Sequence, residues 1–523
     1  MPRSGGRDTV ATARRRSSPP VVFLARANSP PSWTATAPQR ISLGIAAYEA
    51  CARRLTRYQD LVLLLLFAFV GLQLAVAVAL VRRIRSEDDF LVAGRQLGAG
   101  LAAISIFATW FGAESCCGAA GRAYEGGLSW NAPEPFAYGA CLVLTGLFFA
   151  ARLWRLRITT MADFFSQRFG ASSERLAAVL LLPSSLLWAG AQIRAFGQVV
   201  AVNSDGALGI EASIAIAAVI AVVYTACGGL LADVYTDVIQ CTVLLLGIAA
   251  LAFAVWSNMP EGAGADMLPL PSAATAAPAA ASWWAELESW AIPICGSVVA
   301  QEILSRTLAG RSAAVARRAA ISGGLLYICV GAVPLTIGAV GPRFVAGLSD
   351  PELILPTLSQ QLLPAGLNLL FGGALIAAIL STVDSCLLVI SALVTRNLSP
   401  RAPQRETASG RLRLARGAAI AGGALAYGLA TSDSNVSELV EEASGFGSAG
   451  AFVLAVAGLY TRHGGSLAAN MTLLTGLGVW LFGRHIAPAA CPHPYLCSLA
   501  GALLAFMLGC ALERLRSAPA RHE

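Results

Sequence analysis

The clearest chemistry lies in one short run. Between Ala377 and Ser391 the chain reads AAILSTVDSCLLVIS, and Ser381, Thr382, Asp384 and Ser385 crowd small oxygen donors into just over one helical turn. A hard cation such as sodium seeks several oxygen ligands, as calcium and magnesium do. Hydroxyls at consecutive positions supply two, and carbonyls from an unwound stretch of another helix supply the rest. The competing reading is that Ser and Thr serve close helix packing; Asp384 inside the run favours the ion. Other apolar stretches carry ionisable residues too: Glu114, Arg194, Asp237 and Glu302. Each alone is explained by a buried pair or a helix cap. Five such groups in five stretches are expensive to desolvate, and that expense points to a function.

The stretches holding these residues are membrane spans. Of the 523 residues, 56% are apolar and 13% charged, against about 25% charged in a soluble domain. A bilayer core of about 30 Å takes about 20 apolar residues as a helix. Thirteen runs of that kind occur: 59–81, 98–123, 131–151, 173–201, 211–228, 234–256, 284–305, 318–342, 364–395, 415–431, 437–460, 466–483 and 496–512. They lack the alternation of barrel strands, so the fold class is an all-α polytopic membrane protein with the lipid bilayer as its solvent.

Charge orients these spans. The chain has no Lys, so all 37 basic residues are Arg. They gather in the loops 82–97, 152–172, 306–317, 396–414 and 461–465 and in the C-terminal tail, whereas the opposite loops hold little beyond Arg343 and Arg484. By the positive-inside rule the C-terminus is cytoplasmic, and thirteen spans place the N-terminus outside. Residues 1–57 run against this, with ten Arg among Pro, Ser and Ala. They read as a disordered Arg-rich extension or a start placed too far upstream, with an organelle-targeting peptide as the alternative. The biased, Arg-only composition suggests a bacterial inner membrane. Residues 58–513 are then one transmembrane domain and 514–523 a cytoplasmic tail. Of twelve Cys, only Cys491 and Cys497 share an outward loop where a disulfide is chemically open to them. Nothing in the sequence suggests nucleic-acid binding, an organic cofactor or a His-centred catalytic set, so an enzyme is not expected.

Two spans look interrupted. The second, ATWFGAESCCGAAG, carries Gly112, Gly118 and Gly121, and the seventh, SWAIPICGSVVAQEILSR, carries Pro293 and Gly296. Paired broken helices five spans apart are the mark of an inverted-repeat transporter, with the site at the membrane midplane.

At these segments the chain resembles the sodium:solute symporter family, from about residue 59 to 512. The pieces that carry the resemblance are DDFLVAGRQLG, ATWFGAES, TMADFFSQRFG, YTACGGLLADVYTDVIQ and AAILSTVDSCLLVISALVTRNL. It implies a leucine-transporter-like core of two inverted five-helix repeats, spans 2–6 and 7–11. It also implies sodium as the co-transported ion, held by the carbonyls of Ala108, Phe111 and Ala378 and the hydroxyls of Ser381 and Thr382. A second sodium, bound in some relatives, would fall at Asp237 with Asp384 and Ser385.

The solute is less determined. Trp110 and Trp188 resemble the choline-carrying branch, where aromatic faces hold a quaternary ammonium; a third tryptophan of that pocket falls at Ala300 here. Glu114 and Ser115 resemble the acidic–polar pair of sugar and other carriers. Arg194 suits a substrate carboxylate, or a structural pair with an acid such as Glu114, and Gln301 completes the expected solute contacts. The implied function is sodium-coupled import of a small organic solute by alternating access: an amino acid, a betaine, a choline-like compound or another zwitterion. A solute sensor with a separate partner, or a carrier that is uncoupled or proton-coupled, are the other readings.

Overall fold

The computed structural model describes residues 84, 86–128, 134–204, 208–259, 283–399, 408–432 and 435–517, with isolated positions between 68 and 79. All belong to one compact unit, Tyr58–Glu523. Among the described residues the chain is helical almost throughout, and its one extended pairing is an isolated bridge between Leu97 and Gly310. Helices are what this composition must form in lipid, because they satisfy backbone N–H and C=O groups within the segment.

In chain order the long helices are α1 (Ala99–Trp110), α2 (Glu114–Gly126), α3 (Phe136–Arg155), α4 (Ala171–Asn203) and α5 (Ile210–Ser257). They continue as α6 (Trp283–Ala291), α7 (Gln301–Ala309), α8 (Ala313–Val340), α9 (Ala365–Ala392) and α10 (Ala408–Ala430). The last are α11 (Val436–Gly445), α12 (Ser448–Tyr460), α13 (Ser466–Leu481) and α14 (Pro494–Ser517). Seven helices among the described residues are long and apolar enough to cross a membrane, or up to nine if the bent pairs α1–α2 (64°) and α11–α12 (41°) each count as one. The 48-residue α5 covers two sequence-derived spans, because Gly229 (φ 55°, ψ −177°) breaks it into two arms. The expected spans from 98–123 onward fall on these helices, with 98–123, 284–305 and 437–460 each divided between two of them. The first span, 59–81, lies outside the described residues except for a few helical positions, as do the tail 1–57 and nearly all of the loop 257–283.

The breaks have local causes. α1 stops at Trp110, and Phe111 (φ −87°, ψ 69°) turns the chain out of the helix just before Gly112. On the other broken span, Pro293 and Gly296 lie in a wide π turn, Ile292–Gly296, and Ala300 is extended before α7 begins. The two broken spans stand five apart. Capping boxes fix other starts: Thr160 with Asp163 opens the short helix Met161–Phe169, and Asn435 with Glu438 opens α11. At the centre runs α9, buried at every position from Phe371 to Ala392 and packed against α4, α5 and α10. Its oxygen-rich turn therefore faces protein on all sides.

Candidate functional site

The unwound end of α1 meets the oxygen-rich turn of α9. A helix end leaves its last carbonyls without intrahelical partners; Ala108 lies in the last turn of α1 and Phe111 at the break. The Thr382 hydroxyl donates to the Thr109 carbonyl at 2.9 Å and lies 3.2 Å from the Ala378 carbonyl. A Cβ on Gly112 would stand 2.7 Å from Gln192 Oε1, 2.8 Å from Thr382 Oγ1 and 2.9 Å from Glu114 Oε2. Glycine is therefore required where three polar groups converge on the break. Ser381 points the other way and donates to Asp237 Oδ1 at 2.6 Å, while Ser105 donates to Oδ2 at 2.5 Å. Ser105 escaped the sequence reading, being one hydroxyl in an apolar helix.

The three residues expected for a second sodium are not brought together. Asp237 is held by Ser105 and Ser381, while Ser385 accepts from Arg306 Nη2 at 2.6 Å and donates to the Ser381 carbonyl at 2.6 Å. Arg306 also forms a salt bridge with Asp233. The sequence reading placed Arg306 at the start of a cytoplasmic loop; instead it belongs to α7 and its side chain is 1% exposed. Asp384 is fully buried beside Asp233, Arg306 and Thr225.

One face of the break is aromatic. The rings of Trp110 and Trp188 are 4.7 Å apart, and Tyr138 on α3 stands 6.1 Å from the first and 6.2 Å from the second. All three are buried, and both indole N–H groups lack a hydrogen-bond partner. Tyr138 thus supplies a third ring, from a direction the sequence did not suggest. Glu114, at the start of α2, accepts from Gln192 Nε2 at 2.7 Å, and Gln192 Oε1 accepts from the Ala113 N–H at 2.8 Å. Ser115 shares a short hydrogen bond with Tyr327 on α8. Glu114 and Tyr138 line a cavity of about 410 Å³ with Arg122, Glu134, Pro293 and Glu441, which extends to Arg484 and His493 in the 482–494 region.

Two expected solute contacts lie elsewhere. Arg194 donates to the carbonyls of Ser432 (2.6 Å) and Ala430 (3.2 Å), capping the end of α10. It does not pair with Glu114. Gln301 accepts from the Met161 N–H at 2.7 Å and donates to the Thr159 carbonyl and Ser305 hydroxyl at 2.8 and 3.1 Å. Its amide is fully occupied in joining α7 to the 159–161 turn. Cys491 and Cys497 are free thiols.

Residues 90–476 match the Sodium:solute symporter family. The chain belongs to that family. Among curated members of known name, it is 29% identical over 333 residues to the human high affinity choline transporter 1, covering 60% of this chain and 56% of the relative. It is 24% identical over 389 residues to the sodium/sialic acid symporter NanT of Aliivibrio fischeri, covering 69% and 74%. The chain matches a little over half the length of the choline transporters, from 52% to 59%. The fold is that of a substrate-bound, outward-open Na+-coupled sialic acid symporter, with a TM-score of 0.72 at 17% identity over 86% of this chain and 98% of that one. Mhp1, a nucleobase-cation-symport-1 family transporter, superposes with a TM-score of 0.57 at 18% identity, over 83% and 96%. The leucine-transporter-like architecture implied by the family resemblance is thus shared with known transporters.

Proposed function

We propose that this chain is a sodium-coupled symporter that imports a quaternary-ammonium solute of the choline type by alternating access. The observation that carries the solute class is the buried cluster of Trp110, Trp188 and Tyr138 at the α1–α2 break, with the Glu114 carboxyl beside it. Ring faces attract a desolvated cation by up to about 2 kcal/mol or more each, and an acidic group adds to that field. A zwitterion would need a cationic partner for its carboxylate. Arg194, the residue expected to supply it, is committed to the end of α10, and the arginines of the cavity, Arg122 and Arg484, are paired with Glu134 and with Glu441 and Glu442.

Sodium would bind across the same break, between the carbonyls of Ala108, Phe111 and Ala378 and the hydroxyls of Ser381 and Thr382. The Thr382–Thr109 contact supports this reading, since it ties the oxygen-rich turn of α9 to the last turn of α1. Binding there would tie α1 to α9 and order the neighbouring aromatic face, so sodium and solute would raise each other's affinity. The negative interior drives entry, each charge gaining roughly 2.3 kcal/mol per 100 mV. We place the protein in a bacterial inner membrane with its C-terminus in the cytoplasm, on the Arg asymmetry of its loops.

The test is thermal stabilisation of the purified protein by choline, betaine, proline, sialic acid and glucose, each in sodium and in potassium. Stabilisation by choline in sodium alone is the expected result. A preference for proline or sialic acid would reassign the pocket, and indifference to sodium would remove coupling.

A further inference from the structure

The acidic cluster beside the sodium run already holds a cation of its own. Arg306 is buried to within 1%. Its guanidinium pairs with Asp233 on the second arm of α5 and donates to Ser385 on α9 at 2.6 Å. Asp384, one residue from Ser385 and fully buried, is adjacent to the same guanidinium and to Asp233. Two carboxyl groups and one hydroxyl thus converge on a single guanidinium. The nearest ion position lies one turn earlier on α9, where Ser381 and Thr382 face Asp237 and the end of α1.

We propose that Arg306 is a fixed cation standing where a second sodium would have to sit, so that this chain binds one sodium per transport cycle. The proposal rests on the sodium coupling argued above. A guanidinium suits the part because it keeps its charge at any physiological pH and offers donors in a rigid fork. With Ser385 turned to that fork and Asp233 paired with it, Asp384 alone cannot assemble the several oxygen ligands a sodium ion needs. Replacing Arg306 would leave the carboxyl groups of Asp233 and Asp384 beside a freed Ser385 hydroxyl, a set of oxygens with no resident cation. Such a set would recruit a mobile cation.

Binding of ²²Na⁺ to the detergent-purified full chain, by scintillation proximity at saturating sodium, tests this without knowledge of the solute. The wild type should bind one sodium per chain, and Arg306→Gln should bind two. The double variant Arg306→Gln/Asp233→Asn, which removes a cation and an anion together, should return to one. Two sodium ions on the wild type, or one on a folded Arg306→Gln, would overturn the proposal while leaving coupled transport intact. No sodium binding by the wild type would remove the coupling reading and this proposal with it. If Arg306→Gln fails to fold, the double variant decides: recovery of a monodisperse protein with one sodium supports a charge role. Failure of both to fold shows that Arg306 is held for its packing, and overturns it.

Discussion

A hydroxyl and an aromatic ring in adjacent turns carry separable roles here. Thr382 joins α9 to α1 through the Thr109 carbonyl, so Thr382→Ala should raise the sodium concentration for half-maximal uptake by about tenfold, the scale of one lost ligand at about 1.4 kcal/mol. Sodium titration of radiolabelled uptake measures this, and an unchanged midpoint would remove Thr382 from the site. Trp110→Ala should weaken choline binding by about tenfold or more while leaving the sodium midpoint nearly fixed, as expected for a lost cation–π face. Arg194→Gln should lower the melting temperature and leave solute preference alone, because the residue caps α10. At this scale the sequence was legible where residue type alone decides. Four oxygen donors in one turn suggest a cation site, and of them Thr382 reaches the unwound end of α1 while Ser381 turns to Asp237. It was illegible where direction decides. An Arg or Gln inside an apolar run does not reveal what it faces, so Arg194 and Gln301 went to the solute when both are bound to backbone. Tyr138 was hidden for the converse reason: one aromatic residue in an apolar span reads as lipid-facing.

Elements were easier to read than their ends. The interruption at Gly112 stands beside a residue that weakens a helix, whereas Pro293 and Gly296 widen the seventh span into a π turn and the chain leaves the helix a few residues later, at Ala300. The end of the seventh span was misjudged because Arg306 looks like the first residue of a basic loop. An Arg at a span boundary satisfies the positive-inside pattern whether it faces water or, as here, an aspartate in the interior. The break at Gly112 leads to a sharp expectation. Gly112→Ala would press a methyl group against Gln192, Thr382 and Glu114 at 2.7 to 2.9 Å, so uptake should be abolished, with the loss read as transport per folded molecule after gel filtration. Glu352 in the turn Pro351–Leu353 accepts from the N–H groups of Val436 and Ser437 and from the Ser437 hydroxyl, tying that turn to the start of α11. Burial pushes its carboxyl above the ordinary range despite those donors. An acid whose pKa is raised on folding adds stability at low pH and loses it as pH rises through the folded value. Melting temperatures followed upward from pH 5 should therefore fall, and Glu352→Gln should flatten that slope.

The molecule as a whole is a scaffold wrapped around one fully buried helix, with two broken spans beside it. Its class was legible from composition and span length because lipid leaves few architectures open to a chain this apolar. The sorting of charges within it was not, since pairing across α5, α7 and α9 joins residues more than seventy positions apart, as Arg306 and Asp233 are. The aromatic cluster has a use beyond recognition. Two indoles 4.7 Å apart, buried and with their N–H groups unbonded, are close enough for their electronic transitions to couple. Such a pair gives a signed couplet in near-ultraviolet circular dichroism, and its emission responds to any charge brought against the rings. The site thus carries its own optical label. Of the ten tryptophans, Trp283 and Trp284 also stack, at 3.8 Å, so the site's signal is the part of the couplet that a Trp188→Phe variant removes and that changes on solute binding. Occupancy could then be followed in the unmodified protein, in real time, without a radiolabel or a dye.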